Sequence, residues 1–100
     1  MITLTPDPFD PGALLSAFAA GRAETGAIAT FTGLARAEQG QTTTLELEAY
    51  PGFTEAQIGV IAQDARNRFA LDDLQIVHRV GQITPGEAIV FVAKIGRAHV

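Results

Sequence analysis

Apolar residues first recur at helical spacing in Leu14, Leu15, Phe18 and Ala19, directly after Asp10-Pro11. An Asp before a Pro is a strong helix opening: the carboxylate caps free N–H groups and Pro suits the first helical position. Gly21 is a natural stop. The pattern then changes period. From Gly26 to Thr32, Ile28, Thr30 and Thr32 alternate with Ala29 and Phe31, which predicts a strand. Gly33 to Gln41 is polar, carries two glycines and is read as a loop. Thr43 to Tyr50 alternates again, with Leu45, Leu47 and Ala49 on one side and Thr44, Glu46 and Glu48 on the other, as in a half-covered antiparallel strand.

Pro51-Gly52 ends that run. Thr54, with Gln57 three residues on, fits a capping box. A helix is expected to about Phe69, with Ile58, Ile61, Ala62, Ala65 and Phe69 as its apolar stripe. Leu74 to Val80 reads as a strand with Leu74, Ile76, His78 and Val80 on one face, and Thr84-Pro85-Gly86-Glu87 as a type II turn. Ala88 to Ala93 is apolar on both faces, as a covered central strand would be. The expected order is helix, strand, strand, helix, strand, strand: an α+β domain with a mainly antiparallel sheet and packed helices.

A chain of 100 residues has room for one domain, and 47% apolar residues can supply its core. The net charge of −4 argues against a nucleic-acid binder, which needs a basic surface. It gives no attraction to anionic membranes either. With no cysteine, disulfides, thiolate catalysis and Cys-ligated metals are excluded. Met1 to Asp7 lacks a basic, then apolar, leader pattern, and no run approaches the ~20 apolar residues of a membrane helix. A soluble cytoplasmic protein is expected.

Candidate chemistry is sparse. Arg36 sits in a Gly-rich loop after a strand, and a guanidinium can hold a phosphate or carboxylate bidentately. Taken alone it reads rather as a solvated loop residue, since most loop arginines bind nothing. His78 alternates with apolar neighbours, which predicts a core histidine bonded to backbone rather than an acid–base group. Arg79, on the opposite face, is expected at a surface or interface ion pair. Glu46 and Glu48 share an exposed strand face. His78 and His99 have no carboxylate at metal-like spacing, so no metal site is expected. Lys94 is the only lysine. Walker, GxGxxG and GxSxG motifs are absent.

Four segments resemble the molybdopterin synthase large-subunit (MoaE) family. Gly26 to Arg36 is similar to its G-A-x-x-x-F-x-G-x-x-R signature, and Leu45 to Glu55 to its L-x-x-E-x-Y-x-x-M-x-E stretch, with Phe53 where the family has Met. Asp64 to Phe69 resembles its E-A-R-x-R-[WF] helix end, and Val77 to Glu87 its I-H-R-x-G-x-L-x-x-G-[ED]. The segments keep the family's order and spacing over about residues 8–93.

That resemblance implies an α/β hammerhead fold and a homodimer at the centre of a heterotetramer. It implies a partner, a ubiquitin-like small subunit whose Gly-Gly tail carries a thiocarboxylate. The reaction would transfer two sulfurs to cyclic pyranopterin monophosphate, forming the dithiolene of molybdopterin, without a metal or other cofactor. The family's substrate-binding tripeptide falls on Leu34, Ala35 and Arg36, the last facing a pterin phosphate. No catalytic residue is expected here, because the family's lysines and its Ala-His-Arg motif follow the matched segments. Residues 1–93 are thus read as the N-terminal part of one family domain. Residues 94–100 resemble the translation of a short-read sequencing adapter and are read as a non-native tail. The chain by itself is expected to be inactive. The alternatives are a small-molecule-sensing or interaction module of ferredoxin-like type, or a degenerate structural paralogue.

Overall fold

A computed structural model describes residues 1–37, 45–47, 53–69 and 71–96. In chain order these form β1 (Ile2–Thr5), α1 (Pro11–Ala19), β2 (Ile28–Leu34), β3 (Leu45–Leu47), α2 (Phe53–Phe69), β4 (Leu71–Arg79), β5 (Gly81–Ile83) and β6 (Ala88–Gly96). Four strands make the main sheet in the order β1-β4-β6-β2, and β3 pairs with β5 in a two-stranded ribbon. β1 runs parallel to β4; the pairs β4–β6, β6–β2 and β3–β5 are antiparallel. The expected α+β class with a mainly antiparallel sheet is therefore the architecture found.

Local chemistry explains the first helix. The Gly12 N–H donates to Asp10 Oδ1 at 2.9 Å, and Pro11 occupies the first turn. Gly21, just beyond the helix, takes a φ of +75°, a conformation that costs a residue without Cβ little.

Each face of the main sheet receives one helix. In an antiparallel pair, opposed residues share a face. Val77 of β4 opposes Phe91 of β6, and Ile95 of β6 opposes Ile28 of β2. Val77, Phe91, Ala93 and Ile95 pack with Phe18 of α1, supported by Phe9, Leu14, Leu15 and Ile28. The other face carries Ile2, Leu74 and Ile76. There α2 comes so close to β1 that a Cβ on Gly59 would lie 3.9 Å from Ile2 Cδ1. Buried Ala62 marks the inward side of α2.

Several expectations need correction. The strand β1 was not anticipated. Its four residues precede Pro6 and are too few to show a period, and its place is set by pairing with β4 more than seventy residues away. Thr54 is the second residue of α2 rather than its cap. The apolar stripe of α2 is narrower than its sequence implied: Ile61 is 66% and Phe69 58% exposed. A helix that covers only a two-strand edge needs few contact positions, and Ala62 with half-buried Ile58 and Ala65 supply them. β2 runs on to Leu34, and β6 runs through Gly96 with Ile95 buried in the core. The remaining residues of the expected 43–50 strand, Glu48 among them, and His99 lie outside the described residues.

Candidate functional site

The end of β2 places the tripeptide singled out above. Gly33 opposes Val90, so closely that a Cβ at Gly33 would meet Val90 Cγ1 at 2.9 Å. The ladder slips immediately afterwards, between Gly33 and Leu34. That irregularity turns Leu34 outward, where it is exposed.

Ala35 has left the strand but is 4% exposed. Its N–H donates to Glu87 O at 2.9 Å, and its carbonyl accepts from Gly86 N at 2.7 Å. Two opposed backbone bonds thus clamp Ala35 to the turn between β5 and β6. Arg36 follows this fixed residue directly and is exposed. A guanidinium carried beside an anchored backbone can meet an oxyanion with little loss of chain freedom.

The turn itself is well determined. Gly86 has a φ of +94°, and the Glu87 N–H donates to Thr84 O at 3.0 Å. This is the closure and the left-handed third residue that the Pro-Gly sequence predicts. Glu87 Oε1 also accepts from Thr84 N at 2.7 Å and stands 3.7 Å from Arg79 Nη1. Arg79 Nη2 donates to Gln82 O at 2.8 Å.

Arg79 departs from expectation. It does pair with a carboxylate, but it is 3% exposed and not at the surface. Both faces of β4 are covered, so the face opposite Leu74 and Ile76 is interior as well. Among the described residues, Arg79 Nε and Nη1 have no hydrogen-bond partner. His78 contacts backbone as expected, with Nδ1 2.7 Å from Arg79 O, but it is half-buried rather than in the core. Glu46 is exposed. The Lys94 ammonium stands 5.7 Å from the centre of the Phe69 ring, a cation–π contact that turns this β6 side chain toward the end of α2. Among the described residues, no three His, Asp or Glu side chains converge as a metal site would require.

A second polar cluster went unrecognised in the sequence. Asp73 Oδ2 lies 2.5 Å from Arg22 Nη2, and Oδ1 lies 3.5 Å from Arg66 Nη2. The Leu74 N–H donates to Asp73 Oδ1 at 2.8 Å. Arg22 also bonds Phe18 O and stacks 4.2 Å over the Phe18 ring. The Met1 ammonium donates to Leu74 O at 2.7 Å. Partial burial pushes the Asp73 carboxyl up. The Arg22 bond, the Leu74 N–H and the charges of Arg22 and the N-terminus outweigh this and hold it below its ordinary value. An open pocket of about 260 Å³ lies beside it, lined by Met1, Phe18, Arg22 and Asp73 among others. This cluster fastens the segment after α1, the end of α2 and the start of β4 to one another, and its members are too far apart in sequence to leave a local signal.

The segments that build the clamp and the sheet extend across nearly the whole chain, and the MoaE protein family model matches residues 4–99 of it. This chain belongs to the MoaE protein family. It is 71% identical over 93 residues to the molybdopterin synthase catalytic subunit of Caulobacter vibrioides, a match covering 93% of this chain and 62% of that protein. The molybdopterin biosynthesis MoaE protein of Burkholderia ambifaria has the same fold, with a TM-score of 0.83 at 38% identity over 96% of this chain and 63% of its own. A complex of subunits 1 and 2 of molybdopterin-converting factor from Helicobacter pylori shares the fold at 18% identity, with a TM-score of 0.77 over 96% of this chain and 65% of that one. The chain spans about three-fifths of the length of the curated relatives it matches.

Proposed function

We propose that this MoaE chain carries part of the substrate site of a cytoplasmic molybdopterin synthase catalytic subunit. In this reading the protein transfers sulfur to cyclic pyranopterin monophosphate from the thiocarboxylated tail of a ubiquitin-like small subunit. Each transfer forms one carbon–sulfur bond on the pterin side chain as a carbon–oxygen bond at the same carbon breaks, and hydrolysis of the acyl–sulfur bond leaves the sulfur on the pterin and the tail as a carboxylate. Two transfers complete the dithiolene. The assembly would be a homodimer of this subunit with a small subunit at each end. The high identity to a catalytic subunit supports the reaction class.

The observation that carries the site is the double backbone clamp on Ala35, which fixes the base of exposed Arg36. The charge of Arg36 suits the cyclic phosphate, and Leu34 and Ala35 set its direction. In this reading no described residue is nucleophile, acid or base; the resemblance to the family places those groups in a segment beyond residue 93. The division of the chain into a family domain at 1–93 and a foreign tail at 94–100 is part of the same proposal, and sequencing the source DNA across codon 93 tests it.

The functional test is titration calorimetry of cyclic pyranopterin monophosphate against the parent and Arg36→Ala. Losing one charge-assisted phosphate contact should weaken binding by roughly 10- to 100-fold. Equal affinities would remove Arg36 from the site. Offered the pterin and thiocarboxylated small subunit, the 100-residue chain alone should form no molybdopterin. Turnover would show that its own residues suffice for catalysis.

A further inference from the structure

We propose that Arg79 is a positioning residue for Arg36, acting through the β5–β6 turn. The inference deepens the substrate-site reading above and rests on it for the role of Arg36.

The path through the molecule is continuous. Arg79 Nη2 donates to Gln82 O at 2.8 Å, at the entrance to the turn. Its Nη1 faces Glu87 Oε1 at 3.7 Å, at the exit. Glu87 Oε1 closes the turn internally by accepting from Thr84 N at 2.7 Å. Gly86 and Glu87 then grip Ala35 through the two bonds at 2.7 and 2.9 Å. Arg36 is the next residue. One buried guanidinium therefore spans the turn whose backbone sets the direction of an exposed guanidinium just beyond the end of β2.

Stability is a weak explanation for an arginine at this position. A buried charge is costly unless it is fully paired and hydrogen-bonded. Arg79 is 3% exposed, its carboxylate partner is beyond hydrogen-bond distance, and its Nε and Nη1 find no partner among the described residues. An apolar side chain of similar volume would fill the same space at lower desolvation cost. What it would lack is the Nη2 bond to Gln82 O at one end of the turn and the positive charge that faces Glu87 at the other. Positioning shells of this kind fix a binding group without touching the ligand.

The test compares Arg79→Met, Arg79→Lys and Glu87→Ala with Arg36→Ala in the full chain. Two readouts are needed: amide hydrogen exchange at Ala35 and Gly86, with Val77 and Phe91 as reference amides, and affinity for cyclic pyranopterin monophosphate. In Arg79→Met, exchange at Ala35 and Gly86 should rise about tenfold or more while the reference amides keep their protection, and affinity should fall by a similar factor. Arg79→Lys keeps the charge but loses the guanidinium fork, and should fall between parent and Arg79→Met. If Arg79→Met does not fold, Glu87→Ala, which leaves the buried arginine in place, carries the same expectation. Exchange at Ala35 within about twofold of parent, or a rise shared equally by Val77 and Phe91, overturns the proposal, since either outcome makes Arg79 only a structural residue. Unchanged binding in Arg36→Ala sinks the phosphate reading instead, and exchange at Ala35 then decides the positioning claim by itself.

Discussion

Replacing Gly33 with Ala tests whether close strand approach is what aims the tripeptide. Gly33 is not among the described glycines with positive φ, which are Gly21, Gly81 and Gly86. Its conformation is therefore open to any residue, and an Ala there would normally gain about 0.4–1 kcal/mol by restricting the unfolded chain. Against that stands the 2.9 Å approach of its Cβ to Val90 Cγ1. Valine has little χ1 freedom with which to retreat. Overpacking of this kind costs about 1–3 kcal/mol, so the net expectation is a loss of about 1–2 kcal/mol. The assay is urea unfolding of the parent, Gly33→Ala, Val90→Ala and the double variant, comparing midpoints at a common slope. Removing the valine methyls should relieve the clash, so the double variant should be more stable than the sum of the single effects by about 1 kcal/mol. Gly33→Ala should also weaken pterin phosphate binding, because the displaced strand end carries Leu34 to Arg36. A Gly33→Ala protein as stable as the parent, or single effects that simply add, would refute the reasoning.

Two further outcomes follow from the packing. The folded Asp73 carboxyl titrates below its ordinary value of 3.8, so its contribution is complete above that value and is lost as pH falls through the lowered folded value. Asp73→Asn should therefore lower the urea midpoint at neutral pH, with the gap closing in acid. Its side chain is 37% exposed, so the effect should stay below about 1 kcal/mol. On α2, Ile61→Gln should change stability by no more than about 0.5 kcal/mol, because Ile61 faces solvent. Ala62→Leu, one residue on, should cost about 1–3 kcal/mol by overpacking the inward side. Thermal unfolding of both variants checks the pair.

The elements with strong local signals were legible in the sequence. Asp10-Pro11 announced α1, and Thr84-Pro85-Gly86-Glu87 announced the turn, because caps and left-handed glycines are decided within four residues. The apolar run from Ala88 announced a central strand, and β6 does lie between β4 and β2. What escaped depends on distant partners. β1 is a strand because β4 receives it, and Arg79 is interior where Gln82 and Glu87, at the two ends of the β5–β6 turn, close against it. Alternation along β4 gave two faces but not which of them was covered; both are. The α2 stripe failed differently: Ile61 and Phe69 sit at plausible helical positions, yet the sheet edge beneath is too narrow to reach them. For the site, family motifs pointed to Leu34, Ala35 and Arg36. The clamp that holds them joins residues fifty positions apart, so no spacing rule could show it.

The strand order also dictates the sequence of events during synthesis. β1 and β2 are made first yet form the two edges of the main sheet, while β4 and β6, its centre, are made later. Neither early strand has a neighbour in that sheet until the chain has been translated past residue 79. At roughly 5–20 residues per second, the first strand waits several seconds for its mate. No two strands of the main sheet can pair before β4 emerges, so the nascent chain must cross that interval with Ile2, Leu4 and Ile28 unpaired. Folding here is an event of late emergence and non-local pairing, and the interval before β6 appears is when a holdase would find this protein.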